Sequence, residues 1–97
     1  MKVLIHDDSI HFDDRPWCVK AFAYEQGGES RRFEIMVTED ALFNLKGSKV
    51  MGAAEMVRTV LDEKEAIEVQ VGEKLEHRLR LKYPVDDNSL VIISELG

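Results

Sequence analysis

The 97 residues amount to one domain's worth of chain, 44% hydrophobic and 33% charged, a globular balance with no disordered or collagen-like bias. No apolar run reaches the roughly 18 residues of a membrane-spanning helix, Val3-Leu4-Ile5 is too short for a signal-peptide core, and the single Cys18 cannot close an internal disulfide. Those features predict a single domain over 1–97 in a reducing cytoplasm with no membrane partner, and a net charge of -6 disfavours broad contact with nucleic-acid backbones.

The first chemical feature in chain order is the polar stretch His6 to Asp14, which holds two histidines and four aspartates around Ile10 and Phe12. The apolar pair marks a short strand, and the flanking acids are what a protected sheet edge carries. Asp14-Arg15-Pro16 reads as a turn. From Trp17 to Tyr24 the residues alternate, with Trp17, Val19, Ala21 and Ala23 on one side and Cys18, Lys20, Phe22 and Tyr24 on the other. Arg32 to Val37 alternates as well, and Phe33, Ile35 and Val37 share a face opposite Glu34 and Met36. The polar loop Gln26 to Ser30, with Gly27-Gly28, joins them as a hairpin. The Val19 and Phe33 sets form the predicted core, Glu34 is exposed, and the aromatic reverse face with Phe22 and Tyr24 calls for partial cover.

Thr38 can cap a helix that Glu39 and Asp40 favour through its dipole, with Leu42, Phe43 and Leu45 as an apolar stripe and Gly47 as terminator. Ser48 can cap a second helix, whose Val50, Ala53, Ala54, Val57, Val60 and Leu61 recur at helical spacing. Asp62 to Tyr83 supports two readings. Counted at period two, Ile67, Val69, Val71, Leu75, Leu79, Leu81 and Tyr83 share a side, Gly72-Glu73-Lys74 turns a hairpin, and Glu68 faces Arg78. Counted as a helix, Asp62 caps with Glu65 three residues on, acids gather at the start, and bases gather at the end before Pro84. Pattern alone leans slightly to the hairpin. Leu90 to Ile93 is apolar at every position and predicts a strand buried on both sides. Packed across the aromatic face, that strand would leave a mainly monomeric protein.

Three segments resemble a family of small bacterial proteins catalogued as domain of unknown function fourteen-eighty-eight. They are Ile10-His11-Phe12-Asp13-Asp14, Trp17-Cys18-Val19-Lys20-Ala21-Phe22-Ala23, and Phe33-Glu34-Ile35-Met36-Val37-Thr38-Glu39-Asp40-Ala41-Leu42. In that family an isoleucine-x-phenylalanine opening precedes a strand ending in an aromatic-alanine element. A second strand then runs into a serine/threonine-glutamate-x-alanine-leucine helix start. Glu65, Ile67, Val71, Lys74 and Leu75 are similar to markers of the family's later helices. The resemblance implies an α+β fold, with a small antiparallel sheet (the N-terminal hairpin plus edge and C-terminal strands) packed by two to three helices on one face. It implies a helix rather than a hairpin over Asp62 to about Lys82. It brings no catalytic residue with it.

Candidate chemistry is sparse. The His6 to Asp14 cluster offers metal-ligand types, but His6 and His11 lie five apart and face opposite ways in an extended segment. Asp side chains bonding their own backbone account for the pattern equally well. Cys18 sits within a strand, where a cysteine more often serves as a small buried hydrophobe than as a nucleophile. Lys74, Arg78, Arg80 and Lys82 form the one basic stretch, and only Tyr83 could stack a base beside it. Gly27-Gly28 lacks the spacing and the lysine of a phosphate loop. No catalytic, cofactor-binding or metal residue is therefore assigned. The function favoured is a non-enzymatic accessory or protein-interaction module with a protein partner. A metal-binding protein or enzyme using His6 to Asp14 is the alternative, and a nucleic-acid-associated regulator the weaker one.

Overall fold

A computed structural model of the protein describes residues 2–15, 17–27, 31–46, 52–82 and 90–94, with the side chains of 44–46 left aside. Alternation over Trp17 to Val37 produces the central hairpin. Strand β3 (Trp17–Glu25) pairs antiparallel with β4 (Arg32–Thr38), placing Ala21 opposite Ile35 and Val19 opposite Val37. Gly27 takes a positive φ of 77° in the turn, a conformation glycine adopts at little cost. The outer edge of β3 is shared by two short strands, β1 (Val3–Ile5) at one end and β2 (His11–Asp14) at the other. Sequence reading places the edge strand around Ile10 to Phe12 and misses β1, whose three residues are too few to show a period.

Three helices follow β4. Helix α1 (Glu39–Lys46) starts as predicted, with the Thr38 hydroxyl accepting the Ala41 amide at 3.4 Å. Helix α2 (Ala53–Asp62) begins after Gly52 and buries Met56, Thr59 and Val60, while Leu61 is exposed. Met56 is an unpredicted core residue. The caps assigned to Gly47 and Ser48, and the roles of Val50, Pro16, Tyr83 and Pro84, lie outside the described residues, as does the side chain of Leu45. Helix α3 (Lys64–Arg80) settles the ambiguous segment as helix. Its start differs from the predicted cap, because α2 runs through Asp62 and only Glu63 separates the two helices.

Strand β5 (Leu90–Ile93) then joins β4 in parallel, so the five-stranded sheet is mixed rather than wholly antiparallel. A parallel partner needs a crossover, and the three helices supply it on one face of the sheet. Beneath them, Val19, Phe33, Ile35, Val37, Val91 and Ile93 pack with Leu42, Met56, Val60, Ile67, Val71 and Leu75.

Three burial expectations fail, one of them at Glu34, which is half-buried rather than exposed. Trp17, assigned to the core side, is 49% exposed at the end of β3, where its ring meets Phe12 edge-on at 4.7 Å. Strand β5 is buried on one side only, with Val91 and Ile93 inside and Leu90 and Ile92 outside. It lies at the end of the sheet and does not cross the aromatic face. Among the described residues no helix is long and apolar enough to cross a membrane.

Candidate functional site

The face of the sheet away from the helices is one functional candidate. Register places Tyr24 between Leu4 and Arg32, Phe22 beside Glu34, Lys20 beside Met36, and Ile92 beside Met36 on β5. Leu90, Ile92 and Tyr24 are exposed, whereas Phe22 and Met36 are half-buried by their neighbours. Glu34, predicted to be exposed, is half-buried in this row. The Arg32 guanidinium lies over the Phe22 ring, 4.8 Å from its centre, close enough for a cation–π contact. Arg31 forms an ion pair with Glu25 at 2.6 Å. A cleft of about 320 Å³ opens here, lined by His6, Phe22, Tyr24, Glu25, Arg31 and Arg32.

The structure does not gather the His6 to Asp14 residues into a ligand set. Residues Asp7–Ser9 form a short 3-10 turn that interrupts the sheet edge between β1 and β2. At that gap the Phe22 amide has no strand to bond. The Ser9 hydroxyl accepts it at 2.8 Å and donates to the His6 carbonyl at 2.6 Å. His11 Nδ1 lies 2.8 Å from the Ser9 carbonyl. Asp7 pairs with Lys64 of α3 at 2.8 Å. Asp13 accepts the Arg15 amide at 2.9 Å and pairs with Lys20 at 2.9 Å. The Arg15 amide, then the Lys20 ammonium, hold the Asp13 carboxyl below its ordinary range. The Asp13 hydrogen bond raises Lys20, and the Asp7 bond raises Lys64 in the same way. These carboxylates do edge-strand work, bonding backbone and lysines. Among the described residues no three His, Cys, Asp or Glu side chains are grouped to hold a metal ion.

Cys18 is 1% exposed although it belongs to the open-face row, between Asp13 and Thr38 on the adjacent strands. Burial pushes its thiol pKa up, the opposite of what a nucleophile requires. The basic stretch on α3 also disperses. Arg78 donates to the Leu90 carbonyl at 2.9 Å, and Arg80 lies 3.7 Å from Glu76 one turn back. His77 is exposed near the helix end.

Sequence reading misses Glu68, whose carboxylate accepts the Ile5 amide at 2.6 Å. Its partner is a backbone group 63 residues away, for which no local motif exists.

Among the described residues, a mixed five-stranded sheet with three helices on one face and none on the other defines the class: a small α+β domain. The chain has the fold of a protein of unknown function from the duf1488 family of Shewanella loihica PV-4, known from a crystal structure. The TM-score is 0.68 at 14% identity, covering 99% of this chain and 96% of that one. That neighbour carries the family name to which the sequence resemblance points. No family model and no curated protein match the chain.

Proposed function

We propose that this chain is a non-enzymatic accessory module that binds another protein through the open face of its sheet. The observation that carries the reading is the exposure of Tyr24, Leu90 and Ile92 on one face with the half-buried Phe22 and Met36, where Glu34 stands between Phe22 and Leu90, opposite a fully packed face. Apolar side chains gathered on one face mark contact sites more often than scattered exposed residues do. The partner's chemistry follows from the row. An apolar stripe would cover Phe22, Met36 and Ile92, with a polar group opposite Glu34. A different protein fits better than a second copy, because two chains of charge -6 repel at long range.

Metal chemistry at His6 to Asp14 receives no comparable support, since Asp7 and Asp13 already serve lysines and backbone. Nucleic-acid binding through Lys74 to Lys82 fares no better, with Arg78 committed to β5.

Photo-crosslinking in the protein's own cells tests the reading. A crosslinker at position 92 should trap one discrete partner, lost when Tyr24→Ser and Phe22→Ser are added. The same crosslinker at exposed Glu73 on α3 should trap none. No adduct at 92, or identical adducts at 92 and 73, would overturn it.

A further inference from the structure

The outer edge of β5 carries a feature distinct from the open face. The direction of each backbone group follows from the ladder. The His6 amide bonds the Phe22 carbonyl, so even-numbered β3 residues direct their polar groups toward β1. Odd-numbered ones, Val19, Ala21 and Ala23, then bond Val37, Ile35 and Phe33. Glu34 and Met36 are left to face β5, where a parallel ladder joins each to the residues flanking its partner. Val91 and Ile93 therefore bond β4, and the amides and carbonyls of Leu90 and Ile92 point away from the sheet.

Arg78 of α3 donates to that outward Leu90 carbonyl at 2.9 Å. Among the described residues nothing comparable takes the outward groups of Ile92. An incoming strand would need the Leu90 carbonyl as an acceptor. We propose that Arg78 is an edge guard that keeps β5 of one copy from pairing with β5 of a second.

The strand suits itself. Its four residues are all apolar, so antiparallel addition about a two-fold axis at Val91 sets Leu90 of each copy against Ile92 of the other with no opposed charges. It also lacks the usual protections of an edge: proline, lysine and an inward charge are all absent from Leu90–Ile93. A four-residue edge offers much less than the roughly 1,200–2,000 Å² of a stable interface. One charged hydrogen bond at its first residue, Leu90, is thus a sufficient deterrent.

Sedimentation of the full chain at low and high concentration tests this. The natural protein should sediment as a monomer at both. Arg78→Ala, and Arg78→Gln, which is too short to reach the carbonyl yet favourable in a helix, should each gain a concentration-dependent dimer. Adding Ile92→Lys to either should restore the monomer, whereas adding Tyr24→Ser should not, which separates this edge from the open face. A cooperative melt and unchanged circular dichroism establish that each variant is folded. The guard is overturned if folded Arg78→Gln stays monomeric at high concentration, or if its dimer survives Ile92→Lys.

Discussion

The two faces of the sheet are made from the same strands, yet they behave as different materials. Ile93 is fully buried and its neighbour Ile92 is 46% exposed, although the side chains are chemically identical. What separates them is the position of the helices. The crossover from β4 to β5 lays α1, α2 and α3 on one face, and among the described residues no helix covers the other. Hydropathy alone does not assign a face; the connection does.

That contrast is broken most severely in the core. Ile35→Ala should cost about 2–5 kcal/mol, the range for truncating a buried isoleucine, out of a total of roughly 5–15 kcal/mol for such a domain. Its open-face neighbour Glu34→Ala should stay within about 0.5 kcal/mol. Denaturant melts of the two variants check the pair, and equal losses would show that the bare face is covered.

The edges sharpen the contrast at the next level. Glu68→Ala strips the acceptor from the Ile5 amide and should cost about 1.5–3 kcal/mol, the range for a hydrogen bond to a charged group. Amide exchange should quicken at Ile5 more than at Ala23 on the paired strand. Thr38→Ala, where the hydroxyl meets the Ala41 amide at a long 3.4 Å, belongs at the low end of cap losses, about 0.5 kcal/mol. Exchange at Ala41 reports it.

The smallest effect is one of pH. Because the folded Asp13 carboxyl is depressed, its contribution is complete above the ordinary value of 3.8 and is lost as pH falls through the folded value. Lys20 is raised, so its contribution is complete below 10.5 and is lost as pH rises through the folded value. Asp13→Asn should flatten the acid limb of the stability curve and lower the carboxyl-coupled titration of Lys20, both readable by NMR and melts.

The ambiguity over α3 has a physical origin. Ile67, Val71 and Leu75 are spaced by four, a step that satisfies alternation and helical stacking alike. Val69, Leu79 and Leu81 extend the strand pattern in the sequence but are exposed in the structure. The hairpin reading pairs Glu68 with Arg78 across a turn. In the helix they stand ten residues apart, about 15 Å, and hold opposite edges of the sheet. Three strand spacings from β1 to β5 come to about 14 Å, so the helix is the right length to brace both.

By itself the sequence determined what depends on neighbours along the chain: the β3–β4 hairpin, its core face apart from Trp17, and the Thr38 helix start, while the family resemblance carried the α+β class. The tertiary structure alone decided what depends on a distant partner. It paired β1 with the far end of β3, made β5 a parallel edge strand with one dry side, sent Glu68 and Arg78 to separate edges, and divided Asp7 from Asp13. Local patterns record period and capping within a few residues. Which face a helix covers, and which backbone group a carboxylate meets across 63 residues, is set only when the chain closes on itself.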